Sequence, residues 1–422
     1  PVTGIALRGL AAFMLGGCST YNRMGLDARD PQIMRYARSC GLKTEAAPLT
    51  QPLSEIKQPA AIAAGGCDLK TEVDSLAQPL VADRQTQGIV VGVLLPDGSR
   101  HFYGYGVTAL VDGGKPDGNT LFAIGSVSKG FLGAIAAQLV RDGKLSWGES
   151  LETLLPPDTP LSAGARKITL LQLATHTSGL PRQPLTFQTF RYIIRYSFNG
   201  KSFYRHFDRD YIVAYLADFD PPASVKVRYS SMGYGLLGYT LELRTGKKVD
   251  ALLREYLADP LGLKNTGYAP ENLPGFAGRA HGYTGDQPKY RRRGRPTPDW
   301  EFTDIMRGSA GLYSNAGDLL TYASAHLQPG SNQALNAALQ DTLVVRFNRL
   351  KPAPAIAWSV DDVNGLKITR QIGFVAGYST YLGLDVKHRT AVVVLQNSFN
   401  WDLSIGPRLL LRLAAMPEQL IQ

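Results

Sequence analysis

Histidine and cysteine are scarce in this chain, with six and three copies in 422 residues. None of the histidines falls in an H-E-x-x-H pattern, so the helical two-imidazole zinc site of metalloproteases is excluded. A G-x-S-x-G elbow is also missing, which argues against an α/β-hydrolase. The chain shows no internal repeat. Acidic residues are outnumbered, 35 against 45 bases, for a formal net charge of +10. The densest basic cluster, Arg291-Arg292-Arg293-Gly294-Arg295, has no nucleic-acid-binding motif beside it. It reads as a solvated surface loop, and no nucleic-acid partner is expected. A loose attraction to anionic envelope or membrane surfaces fits the same charge.

What is present is an ordinary globular composition, 44% hydrophobic and 19% charged. The length allows one large or two interlocked domains with a substantial core. Near the N-terminus, Arg8 precedes a short apolar run over 10–15 and then Leu15-Gly16-Gly17-Cys18. The run is far too short to span a bilayer as a helix. The stretch resembles a bacterial lipoprotein signal over residues 1–18. That resemblance implies cleavage before Cys18 and lipidation of its thiol, which would hold the protein to a membrane of the cell envelope, facing the periplasm. An ordinary N-terminal extension is the alternative. With Cys18 lipidated, Cys40 and Cys67 remain as a pair that can bridge in an oxidising compartment, two free thiols being the alternative. Residues 19–70 read as an extension or tether, rich in Ala, Pro, Gln and Thr over 42–66.

Residues 71–87 carry Val73, Leu76, Leu80 and Val81 at helical spacing. A buried-strand run follows over 88–95, then the turn Pro96-Asp97-Gly98-Ser99 and a return strand over 101–105. Helical patterns fill the middle of the chain, at 129–141, 169–175, 211–217, 234–244, 249–258 and 316–326, with Thr169 and Asp210 as caps. Strands return at 355–360, 367–371, 378–385 and 390–396, and a final amphipathic helix starts near Ser404 and Pro407. One sheet is therefore expected from both ends of the chain, with residues 71–120 and 340–422 forming an α/β domain and 121–339 an inserted helical domain.

Three stretches carry chemistry. In Phe122-Ala123-Ile124-Gly125-Ser126-Val127-Ser128-Lys129, a serine and a lysine three apart share a helix face. A serine hydroxyl is a weak nucleophile until a base takes its proton. Lysine serves as that base when burial or a helix N-terminus disfavours its ammonium form. Ser128 is the rival nucleophile but adjoins Lys129 and should face elsewhere. In Tyr229-Ser230-Ser231, a tyrosine just before a helix can place its hydroxyl beside Lys129 and relay a proton to a leaving group; a packed aromatic is the alternative. In Gln371-Ile372-Gly373-Phe374, a strand glycine permits close approach, and an edge N–H can complete an oxyanion pocket with that of Ser126. A bulge is the alternative there.

Together, Ser126-x-x-Lys129, Tyr229-x-Ser231 and Gln371-x-Gly373 resemble, in order and spacing, the penicillin-recognising serine hydrolases. The similar branch contains class C β-lactamases, family VIII carboxylesterases and DD-peptidases. Leu173-Ala174-Thr175-His176-Thr177-Ser178-Gly179-Leu180-Pro181 and Gly308-Ser309-Ala310-Gly311-Leu312-Tyr313-Ser314 extend the likeness. It implies an α+β, β-lactamase-like fold: an antiparallel sheet flanked by helices plus an inserted all-α domain. It also implies Ser126 as nucleophile, Lys129 as its base or proton partner and Tyr229 as general acid and base, with the N–H groups of Ser126 and Phe374 as oxyanion hole. Ser231, Gln371 and Gly373 would bind substrate; neither metal nor cofactor is implied, and His176 reads as structural.

Two departures narrow the substrate. Ser231 stands where the family usually has asparagine, a better partner for an amide. Neutral Gln371 stands where the family usually has a cation that binds a carboxylate, and strand alternation turns Arg370 to the opposite face. Losing one charge-assisted contact is worth about 1.5–3 kcal/mol. The expectation is therefore a carboxylesterase-like enzyme acting on small esters or acyl compounds. A cell-wall DD-peptidase or weak β-lactamase, acting on peptidoglycan fragments, and a non-catalytic penicillin-binding module are the alternatives. The insert over 183–210, with Phe187, Phe190, Tyr192, Tyr196, Phe198, Phe203, Tyr204 and Phe207, either overhangs the cleft or forms a satellite hydrophobic cluster.

Overall fold

Seven antiparallel strands drawn from both ends of the described chain form the main sheet. The structure, a computed structural model, describes residues 68–415 apart from 351 and 364. Cys18, Cys40, Cys67 and the proposed signal and most of the tether lie outside the described residues. The strands are β1 (Gly88–Leu94), β2 (Arg100–Gly106), β3 (Phe122–Ala123), β4 (Tyr313–Ser314), β5 (Ala353–Pro354), β6 (Ser359–Val363), β7 (Leu366–Val375), β8 (Tyr378–Asp385) and β9 (Thr390–Gln396). Their order in the sheet is β2-β1-β9-β8-β7-β6-β5, with β3 and β4 forming a separate pair. The helices that matter here are α1 (Leu69–Ala82), α2 (Ser128–Arg141), α3 (Leu170–Ala174), α4 (Phe187–Asn199), α5 (Arg209–Ala217), α6 (Ser231–Thr245), α7 (Asp304–Ala310), α8 (Ala316–Leu327), α9 (Gln333–Leu343) and α10 (Ile405–Ala415).

The sheet is covered on both faces, which is why β1 and β9 read as unbroken apolar runs. Ile89, Val91 and Val93 face α1 and α10, together with Val392 and Val394. Val90 and Leu94 face the helical side, with Leu320 of α8. α8 crosses so closely that a Cβ at Gly92 would lie 3.3 Å from Leu320. A buried ion pair, Arg412 to Glu72 at 2.8 Å, ties α10 to α1. Burial raises the Glu72 carboxyl, against the pull of Arg412. β2, at the sheet edge, has no fully buried residue, and exposure alternates only over its first half. Among the described residues no helix is long and apolar enough to cross a membrane.

β8 and β9 fall where the sequence pattern places them. Three differences have physical causes. β7 runs on to Val375 because residues past Gln371 continue to pair with β8. Asp208, not Asp210, caps α5, since its carboxylate accepts the Tyr211 N–H. The aromatic insert contains a regular helix, α4, begun by Thr186 accepting the Thr189 N–H and ended by left-handed Gly200.

Candidate active site

Ser126 sits in a tight 3-10 turn, Gly125–Val127, that feeds directly into α2. The turn is held from two sides. Ile124 N–H donates to Leu312 O, continuing the β3–β4 pairing into the 308–314 stretch. Ser128, the rival nucleophile, is fully buried: its hydroxyl donates to Gly125 O and accepts from Leu312 N–H. That engagement removes it from the cleft.

The other support is β7. Pairing with β6 ends at Arg370, so the edge beyond it is open to the serine turn. There the two backbones touch. A Cβ at Gly373 would lie 2.0 Å from Ile124 O and 3.1 Å from Ser126 N. A Cβ at Gly125, which has φ +52, would lie 2.9 Å from Phe374 N. The N–H groups of Ser126 and Phe374 thus meet where two glycines cross, a layout suited to an oxyanion. The Phe374 ring turns to the other face and stacks on Phe399.

Lys129 Nζ and Ser126 Oγ are hydrogen-bonded at 3.0 Å, and Nζ also donates to Ser309 O at 2.5 Å. The lysine side chain is buried. Burial first, and then the Arg182 charge, hold the amine well below the ordinary lysine value. That lowering favours the uncharged form of the amine, whose lone pair can take the serine proton.

The Tyr229 ring lies 5.0 Å from Lys129 Nζ. The 173–181 stretch clamps it in place. His176, at left-handed φ 59, accepts the Ser230 N–H on Nδ1 and the Arg228 N–H on its carbonyl. The His176 ring rests 4.4 Å from that of Tyr229. Burial first, then the neighbouring Lys129 and Arg182, keep this imidazole well below its ordinary value. Ser230 caps α6 and donates to Pro181 O. Arg182 O accepts the N–H groups of both Ser231 and Met232.

Ser231 is buried at the first turn of α6. Gln371 lies deeper than a substrate contact would: its amide packs against Gly130 and faces the buried Tyr322 phenol, and neither amide atom reaches solvent. Arg370 turns the other way and pairs with Asp361. Two contributors were not foreseen from sequence, the Ser309 carbonyl and Arg182. The latter immediately follows Pro181, and its guanidinium lies 5.2 Å from the centre of the Tyr229 ring.

A serine hydrogen-bonded to a buried amine, beside an antiparallel sheet and a helical layer, is an arrangement that suits a serine hydrolase. Residues 73–415 match the Beta-lactamase family, and the chain belongs to it. It is 31% identical over 243 residues to "Penicillin-binding protein 4" of Amycolatopsis lactamdurans, covering 56% of this chain and 58% of that protein. It is 28% identical to a "Beta-lactamase" of Lysobacter lactamgenus (65% and 64% covered). It is 26% identical to the "D-alanyl-D-alanine-carboxypeptidase/endopeptidase AmpH" of Escherichia coli strain K12 (58% and 59% covered). The chain thus spans less than two thirds of the length of each of these relatives. The fold is shared with a class C β-lactamase from Rhodobacter sphaeroides, at TM-score 0.66 and 22% identity over 81% of this chain and 98% of that one. It is also shared with a "Beta-Lactamase/D-Alanine Carboxypeptidase" from Pseudomonas syringae, at TM-score 0.64 and 21% identity over 82% and 97%.

Proposed function

We propose that this serine hydrolase works through an acyl-enzyme on Ser126 and prefers esters to amides, as a carboxylesterase. The observation that carries the mechanism is the 3.0 Å contact between Ser126 Oγ and a buried Lys129 amine. Lys129 takes the hydroxyl proton as Oγ attacks the carbonyl carbon. The oxyanion is received by the N–H groups of Ser126 and Phe374. Tyr229 passes a proton to the departing alkoxide, and water then cleaves the acyl-serine to give acid and free enzyme. The ester preference is supported by Ser231, whose short hydroxyl grips an amide poorly, and by the neutral, buried Gln371.

The second reading, a DD-peptidase, is favoured by the carboxypeptidase relative and by the cation at Arg182. A periplasm-facing site, held to a membrane by lipid on Cys18, is the location proposed; the signal-like 1–18 segment supports it.

The test is intact-mass analysis after a fluorophosphonate and, separately, a penicillin, alongside turnover of short-chain p-nitrophenyl esters. One adduct at Ser126 and ester turnover lost at least a thousandfold in Ser126→Ala are expected. Cleavage of D-alanyl-D-alanine peptides without ester turnover would replace the first reading with the second. No adduct with either reagent would overturn both.

A further inference from the structure

Within the insert over 183–210, the first 25 residues, 183–207, contain no aspartate or glutamate and four bases, Arg191, Arg195, Lys201 and Arg205; Asp208, Arg209 and Asp210 follow at the start of α5. Its helix α4 buries Thr189, Ile193, Tyr196 and Ser197 against the protein. The opposite stripe, at helical spacing, is Phe187, Arg191, Ile194, Arg195 and Phe198. Phe187 is 75% exposed, Ile194 42% and Phe198 61%. Tyr290, 59% exposed, extends the patch by stacking on Phe198 at 4.9 Å. A water-facing helix normally presents polar groups on this side. Rings and arginines also populate protein–protein interfaces, but four bases with no acid over 183–207 make an anionic surface the complementary partner. An anionic bilayer surface accepts both, rings at the acyl boundary and arginines at the headgroups.

We propose that the outward face of α4 docks on an anionic lipid surface. The proposal is independent of the catalytic reading. The test is co-sedimentation of the full chain, carrying Cys18→Ala so that no lipid on that thiol contributes, with vesicles. One set is phosphatidylcholine alone, and the other is phosphatidylcholine with phosphatidylglycerol. Sedimentation with the anionic set only, weakened at least tenfold in Phe187→Ser/Phe198→Ser and in Arg191→Glu/Arg195→Glu, is expected. Both variants should keep the parent's melting temperature, because the replaced side chains face solvent. No sedimentation of the parent, equal sedimentation with both vesicle sets, or unchanged sedimentation of the folded variants would overturn it.

A separate observation concerns Arg182. The third-motif position, Gln371, is neutral and turned into the core. The cation beside the reacting groups is instead half-buried Arg182, over the Tyr229 ring and close enough to act on Lys129, His176 and Tyr196. Its carbonyl is locked to the start of α6, so the side chain has a fixed root. We infer that Arg182 is the specificity-determining residue that receives a carboxylate on the acyl substrate, which makes anionic esters the preferred class. This rests on the acyl-serine reading above. The test compares the rate of Ser126 acylation by a penicillin, which carries a carboxylate, with that by a neutral p-nitrophenyl ester. Arg182→Gln should slow both, because the Lys129 amine loses the charge that helps hold it low, but the penicillin should fall at least tenfold further than the neutral ester, and Arg182→Lys should recover most of that difference. Equal slowing of both, or slowing of neither, would overturn the inference while leaving the acyl-serine reading intact. Absence of acylation in the parent would overturn both.

Discussion

One methyl group at Gly373 would decide whether the serine turn can sit where it does. Backbone rather than a flexible side chain occupies the space, with Ile124 O 2.0 Å from the added carbon. Gly373→Ala must push the turn and its N–H donors off β7. Misplacement on the scale of an ångström is worth about a hundredfold in rate, and forced overpacking about 1–3 kcal/mol in stability. Ester turnover should therefore fall about a hundredfold while a cooperative melt survives; turnover within threefold of the parent would show that the crossing is not needed. That Ser126, Lys129, Tyr229 and Gly373 lie together was legible in the sequence through the order and spacing that resemble the penicillin-recognising serine hydrolases. Arg182 was not, because its place depends on how the loop ending at Pro181 folds back on Tyr229. Nor was the inward turn of Gln371 legible, since alternation gives a face and not the depth of what packs on it.

Among the elements, α8 carries a titratable group in an apolar setting. His326 is fully buried, donates from Nδ1 to Tyr322 O at 2.9 Å and meets Trp358 edge-on. Burial pushes its imidazole down to about 4 from 6.5. The folded state thus holds it neutral, whereas the unfolded chain takes up a proton below about pH 6.5. Stability falls as the pH drops from there to about pH 4, by about 3 kcal/mol from this group alone. Urea unfolding of His326→Leu at about pH 7 and about pH 4 should show an acid loss smaller than the parent's by about that amount; an identical loss would show that the imidazole does not titrate on unfolding. Elements with one clear period, such as β8 and β9, were readable from sequence. α4 was not, because aromatic and β-branched residues on both of its faces blur the helical period and favour helix weakly. Its packing, with Tyr196 edge-on to Phe203 and Trp300, settles the matter.

For the whole molecule the governing fact is that β1 and β9 are neighbours. Ile89 stands opposite Gln396, and Gly88 N–H donates to Asn397 Oδ1 across 309 positions of sequence. Alternating and unbroken apolar runs at both ends made a shared sheet legible, but the strand order was not, since it depends on which edges the helices leave open. Contacts of such separation form slowly. During synthesis, then, the first hairpin must leave the ribosome and linger with a bare edge while the helices emerge. Ser126 has been made by that time, but its cradle on β7 has not. On the acyl-serine reading, the nascent protein has no working site until nearly its last strand is translated.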